Sequence, residues 1–146
     1  MRKSFDEWVR IFEAKTGKPF KRSHVKMFYY PEKGFCEIGV DRKNNIVVLY
    51  NVCGDGMFWR RMAEVIADAL GIPCCGTVAL RNVKGYIRRF GYRVDRTEYT
   101  EDGMERYFCT DGYGNHGTCS PAWIDEDTGR WSYFITWEVP KSESGF

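Results

Sequence analysis

The stretch Asn51-Val52-Cys53-Gly54-Asp55-Gly56-Met57-Phe58-Trp59 decides how this chain is read. It joins an apolar β-type run, 45–52, to a helical run, 57–70. Two glycines one residue apart at a strand-to-helix junction let backbone N–H groups converge, and the helix dipole adds partial positive charge there. Such a junction holds a pyrophosphate without basic side chains. The same residues also suit a plain tight turn. Asp55 argues for the second reading, because a carboxylate repels phosphate but makes a good helix N-cap.

Working outward, Ser4-Phe5-Asp6-Glu7 reads as a capping box. Phe5, Trp8, Val9 and Phe12 then predict an amphipathic helix over 5–15, ending at Thr16-Gly17. A basic loop, 18–26, precedes three strand-like runs, 26–30, 34–40 and 45–52. Pro31-Glu32-Lys33 and Asp41-Arg42-Lys43-Asn44 separate them, which predicts an antiparallel meander. In the helix over 57–70, Phe58, Met62, Val65, Ile66 and Ala69 form the expected buried face, and Gly71-Ile72-Pro73 stops it. The run 74–80 is continuously apolar, as in a strand covered on both sides. Asn82 can cap a helix bearing Val83, Tyr86, Ile87 and Phe90, and a right-handed crossover would make the strands near residues 50 and 77 parallel neighbours. Beyond residue 92 two hairpins are expected, 93–99 with 104–110 and 119–124 with 130–139. A glycine-rich loop, 111–118, lies between them, and the tail 141–146 is expected to be loose.

A length of 146 residues with 43% hydrophobic and 16% aromatic content implies a single folded domain. No apolar run approaches the ~18–20 residues that span a bilayer. Asp6 and Glu7 stand where a signal peptide has its apolar core, so a cytoplasmic protein is expected, with no membrane partner. Cys36, Cys53 and Cys74 lie in apolar runs and read as buried thiols, and Cys74-Cys75 forms no CxxC pair. His116 and Cys119 offer two zinc ligands, but His24 is the only other histidine. Residues 98–146 carry 3 basic against 10 acidic side chains, whereas the rest of the chain is net basic.

The order helix, antiparallel strands, glycine turn, helix, buried strand, helix, hairpin resembles the GNAT (Gcn5-related N-acetyltransferase) fold. That family ends a strand in Arg/Gln-x-x-Gly-x-Gly/Ala; here Asn51-x-x-Gly54-x-Gly56 matches both glycines and departs at the first position. Its later motif, an asparagine followed by an amphipathic helix ending in Gly-Phe, looks like Asn82 through Gly91-Tyr92. The latter segment also resembles small GNAT-like proteins of phages and mobile elements. The resemblance covers about residues 26–110. It implies an α+β fold with a mixed, centrally splayed sheet flanked by helices, in one GNAT-like domain over 1–146 with an extra C-terminal hairpin at about 119–139. It also implies a coenzyme A-dependent N-acyltransferase, in which an amine of a small molecule or peptide attacks acetyl-CoA or another acyl-CoA directly.

For that chemistry Asn51, Val52, Cys53, Gly54, Asp55, Gly56, Met57 and Asn82 are the expected cofactor-binding residues. Asn51 or Val52 would also offer an oxyanion donor. Glu37, read as an edge-of-sheet carboxylate, is the candidate base, with Tyr50 of similar standing. Tyr86 is the candidate acid, although its spacing puts it on the apolar face and Arg89 occupies the family's usual tyrosine position. The alternative is a non-catalytic GNAT-like protein that binds a host protein through aromatic C-terminal hairpins, using Tyr107, Tyr113, Trp123, Trp131, Tyr133 and Trp137. Arg81, Lys84, Arg88, Arg89, Arg93 and Arg96 form a basic series suited to nucleic acid. The acidic C-terminal third opposes that partner.

Overall fold

The computed structural model describes residues 2–79 and 82–140. Leu80, Arg81 and the tail 141–146 lie outside the described residues. The described residues form a mixed α+β fold of three helices and eight strands. The chain divides into two compact units, Met1–Cys75 and Gly76–Phe146. No described helix is long and apolar enough to cross a membrane.

In the first unit the capping box forms as expected at the start of α1 (Phe5–Thr16): the Glu7 N–H donates to Ser4 Oγ at 3.1 Å and the Ser4 N–H to Glu7 Oε1 at 2.9 Å. Strands β1 (Lys26–Tyr30), β2 (Gly34–Asp41) and β3 (Ile46–Gly54) follow as an antiparallel meander with β2 in the middle. Trp8 and Phe12 of α1 pack with Phe35 and Cys53 into the core. Phe5, Phe12 and Phe20 surround Phe35 at centroid distances of 5.2, 5.8 and 5.1 Å, giving an aromatic cluster whose geometry adds to its area burial. The indole N–H of Trp8 donates to Pro31 O at 3.0 Å, tying the helix to the β1–β2 turn.

Helix α2 (Gly56–Leu70) buries a different face from the one its apolar residues predict. Trp59, Arg60, Ala63 and Ala67 are buried, whereas Val65 is 68% exposed and Ala69 is exposed. The helix is turned so that Trp59 reaches backbone carbonyls. Ala63 and Ala67, small and fully covered, let it approach closely. Arg60 stays inside because Glu64, one turn on, pairs with it at 3.6 Å.

Strand β4 (Cys74–Ala79) carries the chain into the second unit. There Asn82 caps α3 (Val83–Arg89) by accepting the Lys84 N–H at 3.0 Å. Strands β5 (Arg93–Tyr99), β6 (Glu105–Thr110), β7 (His116–Ile124) and β8 (Trp131–Glu138) then form one continuous antiparallel meander, not two separate hairpins. The expected long loop contracts to a tight turn, because the Asp111 carboxylate accepts the N–H groups of Tyr113 at 2.8 Å and Asn115 at 2.9 Å. Alternation along these strands puts Tyr107, Tyr133 and Trp137 in the core, while Tyr113 in the turn and Trp123, past a register shift in β7, are exposed.

Candidate functional site

At the junction that opened the reading, Gly54 and Gly34 lie opposite each other in the β2–β3 ladder, both at φ 97°. A Cβ on Gly54 would stand 2.2 Å from Lys33 O, and one on Gly34 would stand 2.1 Å from Cys53 O. Two backbones meet here, so close approach within the chain already requires glycine at 54. The Asp55 N–H donates to Lys33 O at 2.9 Å, and the Trp59 indole N–H donates to Lys33 O at 3.0 Å and Cys53 O at 3.1 Å. Lys33 O therefore serves two donors.

Gly56 opens α2, and Met57 beside it is 40% exposed. The anion on the helix's first turn is the chain's own. Asp55 Oδ1 accepts the Phe58 N–H at 3.1 Å, and Lys33 Nζ lies 3.3 Å from Asp55 Oδ2. The Phe58 N–H first, and the Lys33 ammonium after it, hold this carboxyl below the usual aspartate range. Asp55→Ala is expected to cost about 1 kcal/mol at neutral pH, read from urea denaturation. Because the folded-state pKa is lowered, the stabilisation is present above the ordinary aspartate pKa and lost as pH falls through the lowered one. The variant and the parent should therefore converge in acid.

Three residues upstream the strand changes course. One residue of β2 separates Phe35 from Glu37, while two residues of β3 separate Tyr50 from Cys53, so β3 carries a bulge. Asn51 lies in it at φ 48°, a left-handed conformation asparagine tolerates. The bulge turns the Asn51 amide inward, where Nδ2 donates to Glu37 Oε1 at 2.5 Å and Lys21 O at 2.8 Å.

Glu37 itself is fully buried on the central strand of the meander, which corrects the expectation of an edge carboxylate. Arg22 Nε lies 2.7 Å from Oε2, and the Ser23 N–H reaches both oxygens, at 3.1 and 2.9 Å. With Asn51 these contacts fill about four lone-pair positions, the capacity of a carboxylate. The group is built to hold the 21–25 loop against the sheet, with no lone pair left over to accept a substrate proton.

Tyr50 faces Glu37 across the ladder and is half-buried, its ring beside Gly39. Val52 is also half-buried; Cys53 is buried, its thiol pushed up to about 11 by burial, and it donates to Trp8 O at 3.4 Å. The structure thus brings Glu37, Tyr50 and Asn51 together, and it lines up residues 51–57 as one strand, turn and helix start. Asn82 and Tyr86 belong to the second unit. Tyr86 packs on Phe90 at 4.4 Å and lines a shallow depression with Tyr92, Cys109, Gly117 and Cys119.

Sequence reasoning missed Arg22, Ser23 and Lys33. The only signal was one isolated acid, Glu37, in an apolar strand downstream of a basic loop. It also missed a polar row across the second unit. Asp95 is the extra residue of a bulge in β5, and its carboxylate accepts the Thr110 hydroxyl. Thr110 Oγ1 lies 3.3 Å from His116 Nδ1, and the His116 N–H donates to Glu138 Oε1 at 2.6 Å. The Thr110 hydroxyl first, then Arg93, hold the Asp95 carboxyl below its usual range. Among the described residues no group of three His, Cys, Asp or Glu side chains is placed to hold a metal ion. The six cysteines are free thiols, with Cys74 half-exposed where a buried one was expected. No family model matches the sequence, and neither the curated proteins nor the solved structures give a match, so the likeness to GNAT proteins rests on the residues that carry it.

Proposed function

We propose that the chain is a non-catalytic binding protein whose second unit engages a basic partner protein through the tip of the β7–β8 hairpin. One observation carries this reading: Trp123 and Ile124 are 50% and 55% exposed at the end of β7, beside an acidic turn. Trp131 lies opposite Ile124, and Asp125-Glu126-Asp127 follow directly. The turn is pre-organised. The buried Asp125 carboxylate accepts the Thr128 N–H and hydroxyl at 3.0 Å each, and the Asp125 N–H donates to Arg130 O at 2.8 Å. An ordered tip bearing tryptophan lowers the entropy of docking, and tryptophan is enriched among residues that dominate interface energies. The acids around it fit a partner whose apolar pocket has a basic rim. A host protein is the partner class implied by the phage-like resemblance.

The test is retention of a bacterial partner on the immobilised chain, compared with the Trp123→Ala/Trp131→Ala variant. The variant should lose the partner while keeping its fold, and high salt should weaken the parent's retention. Equal retention by both chains would remove the proposal. A second reading, a coenzyme A-dependent N-acyltransferase, draws on the observed order of β3, glycine turn and α2. Calorimetric titration with acetyl-CoA separates the two: heat that disappears in Gly56→Glu favours the enzyme, and no heat favours the binding protein.

A further inference from the structure

Strand β5 ends the sheet order and is bonded on one side only, to β6. All seven of its residues are exposed, including Val94 at 41% and Tyr99 at 69%. A free edge of this kind presents a row of backbone donors and acceptors ready to pair with another strand. Its side chains then decide which strand fits.

The register of β5 on β6 fixes which residues share a face. Arg96 lies opposite Phe108 and Glu98 opposite Arg106, so all four stand on one face. Arg96 and Glu98 pair within the strand at 3.2 Å, and the Arg96 guanidinium sits 4.2 Å from the Phe108 ring centroid. Arg106 Nε is buried without a hydrogen-bond partner.

We infer that β5 pairs antiparallel with β5 of a second copy of this chain about a twofold axis at Thr97, joining two sheets edge to edge. In that register Arg96 of each copy stands opposite Glu98 of the other. The pairs extend into two identical rows across the joint, Arg106, Glu98, then Arg96 and Phe108 of the second copy, alternating cation, anion, cation and aromatic ring. Neighbouring registers lose this match. An axis at Arg96 overlaps more of the strand but sets arginine against arginine, and an axis at Glu98 sets glutamate against glutamate. Like charges directly opposite destabilise a sheet. The charges that would repel an arbitrary strand therefore admit this one, in one register.

Sedimentation equilibrium of the full chain over a concentration series tests the pairing. The parent should form a dimer that weakens as salt rises, since the ion pairs are exposed. Arg96→Glu should weaken the dimer by about tenfold or more, as two opposite-charge pairs become like-charge pairs. Arg96→Lys, which keeps the cation opposite Glu98, should retain most of the dimer, and an unchanged circular dichroism spectrum of Arg96→Glu separates lost pairing from a folding defect. Thr97→Cys, treated with oxidised glutathione, should give a disulfide-linked dimer, whereas the parent, with most of its thiols buried, should not. A parent that stays monomeric would leave the edge to some other strand and overturn the inference. So would a dimer indifferent to Arg96→Glu, or one that Arg96→Lys weakens as much as Arg96→Glu does.

Discussion

Trp59→Ala is expected to destabilise the protein by about 3–5 kcal/mol, the usual cost of truncating a large buried aromatic residue. Trp59 is fully covered and sits under the strand-to-helix junction. Its loss opens a cavity against Phe58 and Tyr30, whose rings lie 4.9 and 6.0 Å away. It also removes the indole donor from Cys53 O, while Lys33 O keeps the Asp55 N–H. Trp59→Phe fills much of the space but lacks the N–H, so it should cost less, with about 1 kcal/mol assignable to each lost hydrogen bond. Urea denaturation followed by far-ultraviolet circular dichroism would check both. A loss under about 1 kcal/mol for Trp59→Ala would mean that the indole does not anchor α2.

Glu37→Ala comes next, at about 2–4 kcal/mol, because each buried donor left without its acceptor costs about 1–3 kcal/mol. The cost does not fall evenly. Arg22 is half-exposed and can turn to water, whereas the Ser23 N–H and the Asn51 amide both point at the vacated place. Glu37→Gln should recover little, because its NH2 group would face donors. Denaturation of the two variants, together with hydrogen exchange at the Ser23 amide, gives the measurement. A glutamine variant as stable as the parent would show that the charge contributes nothing to holding the loop.

Much of the first unit was legible because its signals are local. A capping box, helical periodicity over Phe5, Trp8 and Phe12, and polar turns between apolar runs each act within a few residues. The face of α2 was not legible. Periodicity counted Phe58, Met62 and Val65 as its interior, whereas the indole's two carbonyl partners lie 26 and 6 residues away in sequence. The Glu37 network failed to show for the same reason. Its donors are 14 and 15 residues distant, and a bulge that no side-chain pattern announces brings one of them inward. The turn 111–115 was hidden differently. Its glycines suggested a long loop, but one carboxylate bonding two N–H groups closed it. At the candidate site the glycine spacing was read correctly as a strand-to-helix junction. The Asp55 cap was read from the motif itself, whereas the acceptor of the Asp55 N–H, Lys33 O, lies outside it.

The carboxylate of Asp55 can be viewed as a competitive inhibitor tethered to its own binding site. A group held one methylene from the backbone that presents the donors acts at an effective concentration far above the roughly millimolar value of a loosely linked one. Any free anion approaching the first turn of α2 must displace it and also give up the Lys33 contact. Occupancy there would thus follow the competitor's local concentration more than the number of donors, and acid, which neutralises the tethered carboxylate, would be the condition that releases the place.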